Sequence, residues 1–122
     1  MNIEFEANES GIDADEYSIT VRISNDENVL LFSRESEEQS KKEDWGPYFE
    51  YNDQINGEYG CIEKCTLNNT ILELSLSKQL GTLQGVTGFK VALNVKPESL
   101  NELVKGLKQV FRGYESVLEV HA

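Results

Sequence analysis

Apolar and polar residues alternate along most of the first two-thirds of the chain, which is the pattern of half-buried β-strands. In the segment 17–24 every second residue is apolar, so one face of this strand is expected to be buried. Further segments alternate in the same way or form short apolar or aromatic runs. The additional strands predicted from them are 2–6, 29–32, 48–51, 59–67, 70–76 and 89–95, to which the apolar residues of the tail at 117–120 could add an edge strand.

Polar residues and glycines separate these strands. The polar segment 25–28 predicts a hairpin between the strands on either side of it. Asn-Gly at 56–57 is typical of a tight turn with positive φ at both central residues, and Asn-Asn at 68–69 predicts a second tight turn. A loop is predicted where three glycines follow one another at short intervals, at Gly81, Gly85 and Gly88.

The period of the pattern changes near residue 100, where apolar residues recur at helical spacing. Ser99 and Glu102 match a capping box, and Gly113 is placed to end the helix. The apolar stripe consists of Leu100, Leu103, Val104, Leu107, Val110 and Phe111. The sequence therefore predicts one α+β domain spanning residues 1–122. We expect an antiparallel meander sheet of about six or seven strands with one long C-terminal amphipathic helix packed on one face.

Charge is distributed unevenly along the chain, whose formal net charge is −11. Residues 1–60 contain 16 acidic and four basic residues, whereas residues 61–122 contain six and seven. An acidic excess repels nucleic acid and anionic membranes, so the expected charged partner is a basic protein surface. Solubility alone is the other explanation of the acidity. The chain has no signal-peptide pattern and no long apolar run, which predicts a cytoplasmic location.

Residues that could support catalysis or hold a metal are sparse. His121, the single histidine, lies next to the end of the chain, and no phosphate-binding glycine motif is present. Cys61 and Cys65 are interpreted as reduced thiols in the core, since strand spacing holds them too far apart for a disulfide. The acidic segment that begins at Asp13 lacks the glycine and glutamate of a calcium loop. We therefore expect no enzyme activity, no cofactor and no metal.

The segment 34–44 contains no apolar residue and ends at Trp45, the only tryptophan. This pattern predicts an exposed acidic loop with an aromatic residue at its edge. Trp45 and Tyr48 are expected at the surface, where such side chains serve as contact anchors, and Phe49 is expected in the core.

Several short blocks resemble a bacterial immunity-protein family, immunity protein ten, which is found beside polymorphic toxins. They are YFEYNDQ at 48–54, NG at 56–57, YGCIEKC at 59–65, GFKV at 88–91 and VFRG at 110–113. The resemblance covers about residues 45–113. It implies that the chain binds and neutralises a cognate toxin of the same bacterium. Toxins of this kind are often nucleases, which need a basic surface to hold phosphates.

Combining the resemblance with the charge pattern predicts stoichiometric occlusion of the toxin through an acidic, aromatic-containing surface. Two alternatives stay open: a small-molecule-binding domain with a pocket between helix and sheet, and an oligomerising structural module that pairs through an edge strand. The predicted toxin contacts are Glu35, Glu37, Glu38, Glu43, Asp44, Trp45, Tyr48 and Asp53.

Overall fold

The computed structural model of the chain describes residues 1–36 and 45–121. Within these residues, ten strands form two sheets of five strands each. The first sheet contains β1 (Asn2–Ala7), β7 (Ile62–Asn68), β8 (Ile71–Leu76), β9 (Gly88–Leu93) and β10 (Leu118–His121). The second sheet contains β2 (Glu9–Ala14), β3 (Ser18–Ser24), β4 (Val29–Glu35), β5 (Tyr48–Tyr51) and β6 (Asp53–Tyr59).

The two sheets differ in topology. The second sheet is an antiparallel meander in sequence order, from β2 to β6. In the first sheet, β7, β8 and β9 form an antiparallel centre, while β1 pairs with β9 and β10 pairs with β7 in parallel at the two edges. The strands nearest the two ends of the chain, β1 and β10, therefore form the two edges of the first sheet.

The core lies between the inner faces of the two sheets. Phe49 of β5 packs edge-on against Phe89 of β9, with ring centroids 5.4 Å apart, and joins the sheets at the centre. Phe32 of β4 lies 5.1 Å from Phe49 and 6.3 Å from Phe111, so the same aromatic cluster also reaches the end of the helix. The prediction that Phe49 belongs to the core is confirmed.

Helix α1 (Pro97–Val110) covers the rest of the inner face of the second sheet, over β2, β3 and β4. Its buried residues are Leu103, Gly106, Leu107 and Val110. A Cβ atom at Gly106 would lie 2.7 Å from Ile12 and 2.9 Å from Val21, so the glycine lets the helix approach the sheet closely. Burial of this apolar stripe against a sheet supplies the stability that a helix of this length lacks alone.

The predicted α+β class and C-terminal helix are confirmed, while the arrangement of strands differs from the prediction of a single sheet. The hairpin of β3 with β4, the turn at Asn69 (φ 56°) and the tail strand β10 agree with the sequence pattern. Strand β2 lies outside the predicted strands, because Ile12 is its only large apolar residue. Most of β6 also lies outside them, and the predicted strand 59–67 is divided at residues 60–61 between β6 and β7.

Three local predictions were wrong. Asn56 and Gly57 lie inside β6, and the chain reverses instead at Asn52, whose φ is 59°. The helix begins after Lys96 with a proline in its first turn, and no side chain caps it, so Ser99 does not start a capping box. Arg34 is not a loop residue, because β4 continues to Glu35 and buries the Arg34 side chain.

Candidate functional site: an aromatic and acidic sheet face

The outer faces of the two sheets carry different chemistry. Across the middle of the first sheet, the register places Glu4, Lys90, Glu73, Thr66 and Glu119 side by side. Lys90 separates two glutamates in this row, so opposite charges lie opposite each other on neighbouring strands, as on an ordinary solvated sheet surface.

The outer face of the second sheet carries aromatic residues beside carboxylates. One cross-strand row runs through Asp13, Thr20, Ser33, Tyr48 and Tyr59. The next row along the strands runs through Gly11, Arg22, Leu31, Glu50 and Gly57. Both rows end on β6 at the edge of the sheet, the first in two tyrosines and the second in Glu50 and Gly57.

Trp45, Tyr48 and Tyr59 form one aromatic cluster at this edge, in which Trp45 and Tyr59 are exposed and Tyr48 is half-buried. The ring centroids of Tyr48 and Tyr59 are 5.1 Å apart, and those of Trp45 and Tyr59 are 6.1 Å apart. Trp45 is 58% exposed and Tyr59 is 41% exposed, which is unusual for side chains of this size. The prediction that Trp45 is exposed is confirmed.

Tyr48 is held in place by its neighbours on the sheet. Its hydroxyl donates a hydrogen bond of 2.9 Å to Oε1 of Glu50. A Cβ atom at Gly57 would lie 2.8 Å from Cζ of Tyr48 and closer still to the hydroxyl oxygen, so the ring lies across this glycine. Partial burial, followed by the hydrogen bond and the negative charge of Glu50, raises the pKa of Tyr48 to about 12. The phenol therefore stays protonated and remains a donor at any physiological pH.

Two arginines connect the end of helix α1 to the end of β4. Arg34 donates through Nη1 to the carbonyl oxygens of Val110 at 2.9 Å and Arg112 at 2.8 Å, and lies 5.2 Å from the ring centre of Tyr114. Arg112 donates through Nη2 to the carbonyl oxygen of Glu35 at 2.6 Å. The backbone at Glu35 is therefore anchored to the helix, and its side chain lies on the outer face.

The structure brings some of the predicted contact residues together and separates others. Glu35 and Tyr48 line one shallow groove with Ser33, Arg34, Glu50, Gln54 and Tyr59. Asp53 lies at the opposite end of the β5–β6 hairpin, where its Oδ1 accepts a 3.3 Å hydrogen bond from the amide of Ile55. The predicted contacts Glu37, Glu38, Glu43 and Asp44 lie outside the described residues, so their role stays a prediction.

Glu50 and Tyr59 also belong to this site and are not among the contacts predicted from the sequence. Alternation within 48–51 already places Tyr48 and Glu50 on the same face, and that signal was available. Tyr59 joins them only through the pairing of β5 with β6, in which it lies opposite Tyr48. The misplaced turn at Asn56 and Gly57 concealed this pairing.

The remaining chemistry of the chain matches a structural role. Cys61 and Cys65 are free and buried, as predicted, and burial raises the pKa of Cys61 to about 11 and that of Cys65 to about 12. In residues 1–36 and 45–121, histidine, cysteine and carboxylate side chains do not form a group of three or more that could hold a metal ion. The helix in this part of the chain is too short and too polar to span a bilayer.

Comparison with known protein families decides the relationship that the short blocks indicated. The family model described as immunity protein 10 matches residues 5–101. The chain belongs to the immunity protein 10 family. The match includes the N-terminal third, which the sequence resemblance left out, and ends within helix α1. Searches of curated proteins and of solved structures gave no match. Immunity proteins are typically non-enzymatic inhibitors, and membership in such a family implies a cognate toxin as partner.

Proposed function

We propose that this immunity protein neutralises its toxin by stoichiometric occlusion, through the outer face of the second sheet. We call the residues Glu35, Trp45, Tyr48, Glu50 and Tyr59 the aromatic face. The observation that carries the proposal is the cluster of three aromatic rings, with Trp45 and Tyr59 exposed and Tyr48 half-buried, that has carboxylates beside it. The first sheet has no comparable cluster in the row of residues across its outer face.

The two kinds of side chain have separate physical roles. Tryptophan and tyrosine bury a large area at a small entropic cost, which makes them frequent energetic anchors of interfaces. Carboxylates around the anchors speed encounter with a basic surface and discriminate against acidic ones. The predicted contacts Glu37, Glu38, Glu43, Asp44 and Asp53 extend the acidic region of the same proposal.

A nuclease is the class of toxin that fits this surface. Its substrate groove carries lysine and arginine side chains to hold phosphates, and an acidic protein occupies such a groove in place of nucleic acid. The net charge of −11 supports this assignment. Occlusion by charge complementarity requires no catalytic residue in the inhibitor.

Calorimetry with the toxin encoded by the neighbouring gene tests the proposal. We expect one-to-one binding at submicromolar concentration and loss of toxin activity at the same stoichiometry. The control is an unrelated basic nuclease, which should not be inhibited. Absence of binding at micromolar concentration, with both proteins folded, would contradict the proposed function.

Charge reversal tests where the toxin approaches. Glu35→Lys should slow association, and more strongly at low salt, because steering by exposed charge is screened by ions. Glu73→Lys on the other sheet makes the same charge change and should slow association less. The triple change of Glu37, Glu38 and Glu43 to lysine tests the predicted loop contacts in the same assay. An unchanged association rate in the triple variant would contradict the prediction that those residues contact the toxin.

The groove between the first turns of the helix and β2 is wide open to solvent, which does not favour it as a small-molecule site; it is lined by Ser10, Gly11, Ile12, Glu98, Ser99 and Glu102. Further along the helix, a Cβ atom at Gly106 would already collide with Ile12 and Val21, so the interface between helix and sheet is closely packed there.

Light scattering after size-exclusion chromatography tests the oligomerising module, which predicts a dimer at micromolar concentration in the absence of toxin.

A further inference from the structure

We infer that Tyr48, Glu50 and Tyr59 accept one arginine side chain of the toxin; this inference rests on the proposed function and names the chemistry that the aromatic face recognises. The guanidinium is expected to stack on the tyrosine rings and to pair with the Glu50 carboxylate.

The acceptor is already ordered in the free protein. Oε1 of Glu50 accepts the hydrogen bond from Tyr48, which orients the carboxylate and leaves Oε2 for another donor. Gly57 allows the Tyr48 ring to lie across β6 because it has no Cβ atom. A glycine inside a strand weakens the strand, so its position directly under a tyrosine indicates a close approach that the fold requires.

The two tyrosine rings form a corner instead of a stack. Their planes make an angle of 59° at a centroid distance of 5.1 Å, and Tyr59 is 41% exposed. The groove beside them has a volume of about 320 Å³, and its charged lining residues are Glu35, Glu50 and Arg34, of which Arg34 donates to the helix carbonyls. A long side chain lying in this groove would have an aromatic surface along its length and a carboxylate at its head.

The protein does not neutralise Glu50 with its own cations in the part that the structure describes. Arg22 is the nearest cation in the same cross-strand row, but Leu31 on β4 lies between them. Two strand spacings make this separation about 10 Å between backbones. Arg34 is directed to the helix carbonyls, and Lys78 pairs with Glu58 at 2.9 Å. As far as residues 1–36 and 45–121 are concerned, the charge of Glu50 is therefore available to an external cation.

The geometry favours arginine over lysine as that cation. A guanidinium is flat, so it stacks on a ring and still directs two N–H groups at one carboxylate. A lysine ammonium is compact and strongly hydrated, and it cannot use both surfaces in the same way. Arginine is also abundant in surfaces that hold phosphates, which agrees with a nuclease as the partner.

A purely structural role of the tyrosine is the competing explanation. Aromatic side chains cover glycines in neighbouring strands, and Tyr48 could serve only to shield Gly57. Under that explanation the Glu50 charge has no effect on toxin affinity. Removing the charge while keeping the hydrogen-bond acceptor therefore separates the two explanations.

The experiment compares Glu50→Gln with Glu73→Gln by calorimetry against the toxin of the neighbouring gene. The amide oxygen of the new side chain still accepts from Tyr48, so folding should be preserved, and thermal unfolding of both variants checks this. We expect Glu50→Gln to weaken binding about tenfold to a hundredfold, the range for a hydrogen bond to a charged group, and Glu73→Gln to weaken it less than about twofold. Tyr59→Leu should weaken binding while leaving the pair of Tyr48 and Glu50 intact.

Arginine-to-lysine variants of the toxin identify the partner residue. One of these toxin variants should bind the wild-type immunity protein more weakly than the unchanged toxin does. The same toxin variant should bind the Glu50→Gln immunity protein about as strongly as the unchanged toxin does. Strong wild-type binding with an equal, small effect of both glutamine variants would overturn the arginine acceptor and leave the proposed function standing. Failure of the wild-type protein to bind the toxin would overturn both.

Discussion

Replacing Gly57 with alanine tests the geometry on which the aromatic face depends. The new Cβ atom would lie 2.8 Å from Cζ of Tyr48, so the phenol must swing away from the sheet. Tyr48 then loses its hydrogen bond to Glu50, which contributes about 1 kcal/mol at a half-exposed site. It also loses the ring contact with Tyr59, which contributes about 0.5 to 1 kcal/mol.

A gain in the unfolded state opposes this loss. Alanine restricts the unfolded chain more than glycine does and stabilises a compatible site by about 0.5 kcal/mol. Gly57 is such a site, because its φ is not among the positive ones. The expected net destabilisation by Gly57→Ala is therefore about 1 to 1.5 kcal/mol. In a Tyr48→Ala background no ring is displaced and the closest remaining contact is one of 3.2 Å with the backbone carbonyl oxygen of Gln54, so the same change should alter stability by less than about 0.5 kcal/mol.

Urea unfolding of the four proteins in this double-mutant cycle measures the coupling between the two positions. Gly11→Ala is the matched control, since Gly11 also lies within a strand and a Cβ atom there would be 3.7 Å from the nearest side-chain atom. It should leave stability unchanged or slightly raised. Equal effects of Gly57→Ala in the two backgrounds would refute the reasoning that Tyr48 lies across this glycine.

Three further predictions concern the support of the site. In the same urea assay, Arg34→Met should destabilise the fold by about 3 kcal/mol, because the carbonyls of Val110 and Arg112 lose charged donors. The control Arg22→Met, at an exposed position, should change stability by less than about 0.5 kcal/mol. Asn56→Ala should cost about 1 to 3 kcal/mol and increase amide exchange at Thr82, whose amide and hydroxyl both donate to the Asn56 side chain. Cys61 and Cys65 should react slowly with a disulfide reagent at pH 8, because their pKa values of about 11 and about 12 keep them protonated.

Each of these predictions has a result that contradicts it. Equal stability of the two methionine variants would show that the Arg34 bonds contribute nothing net. Unchanged exchange at Thr82 would mean that Asn56 does not hold the loop. For the thiols, the ordinary pKa is 9.0, so unfolded chains ionise first and stability should fall as the pH rises from about 9 towards 11 and 12. Stability that stays constant over this range would contradict the raised pKa values.

Local pattern predicted the elements of this fold but not how they pair. Alternation placed Ile19, Val21 and Ile23 on a buried face, and the helical stripe placed Leu103 and Leu107 against a sheet, as the structure has them. These predictions depend only on neighbouring residues. The division into two sheets depends on the pairing of β1 with β9 and of β10 with β7 across long stretches of chain. No turn joins these partners, so the sequence contains no local signal of them.

Glycine was the residue type that the sequence analysis interpreted least well. Asn56 and Gly57 have the composition of a tight turn, but Asn56 is buried and binds the loop at Thr82, while Gly57 makes room for Tyr48. Both roles depend on tertiary neighbours that lie on other strands or loops. Turn composition is therefore a weaker guide where a strand must accept a side chain from the strand beside it.

The acidic half of the sequence does not correspond to one surface of the molecule. Glu4 and Glu6 belong to β1, which joins the first sheet beside Lys90, while Glu35 and Glu50 belong to the second sheet. Charge along the chain therefore cannot choose between the two outer faces. The feature that distinguishes them is the group of exposed rings on the second sheet, which comes together because β5 and β6 pair with Tyr48 opposite Tyr59. Under the proposed function, acidic charge would attract a basic partner to the whole protein, and the aromatic face is the place where burial of the rings would hold it.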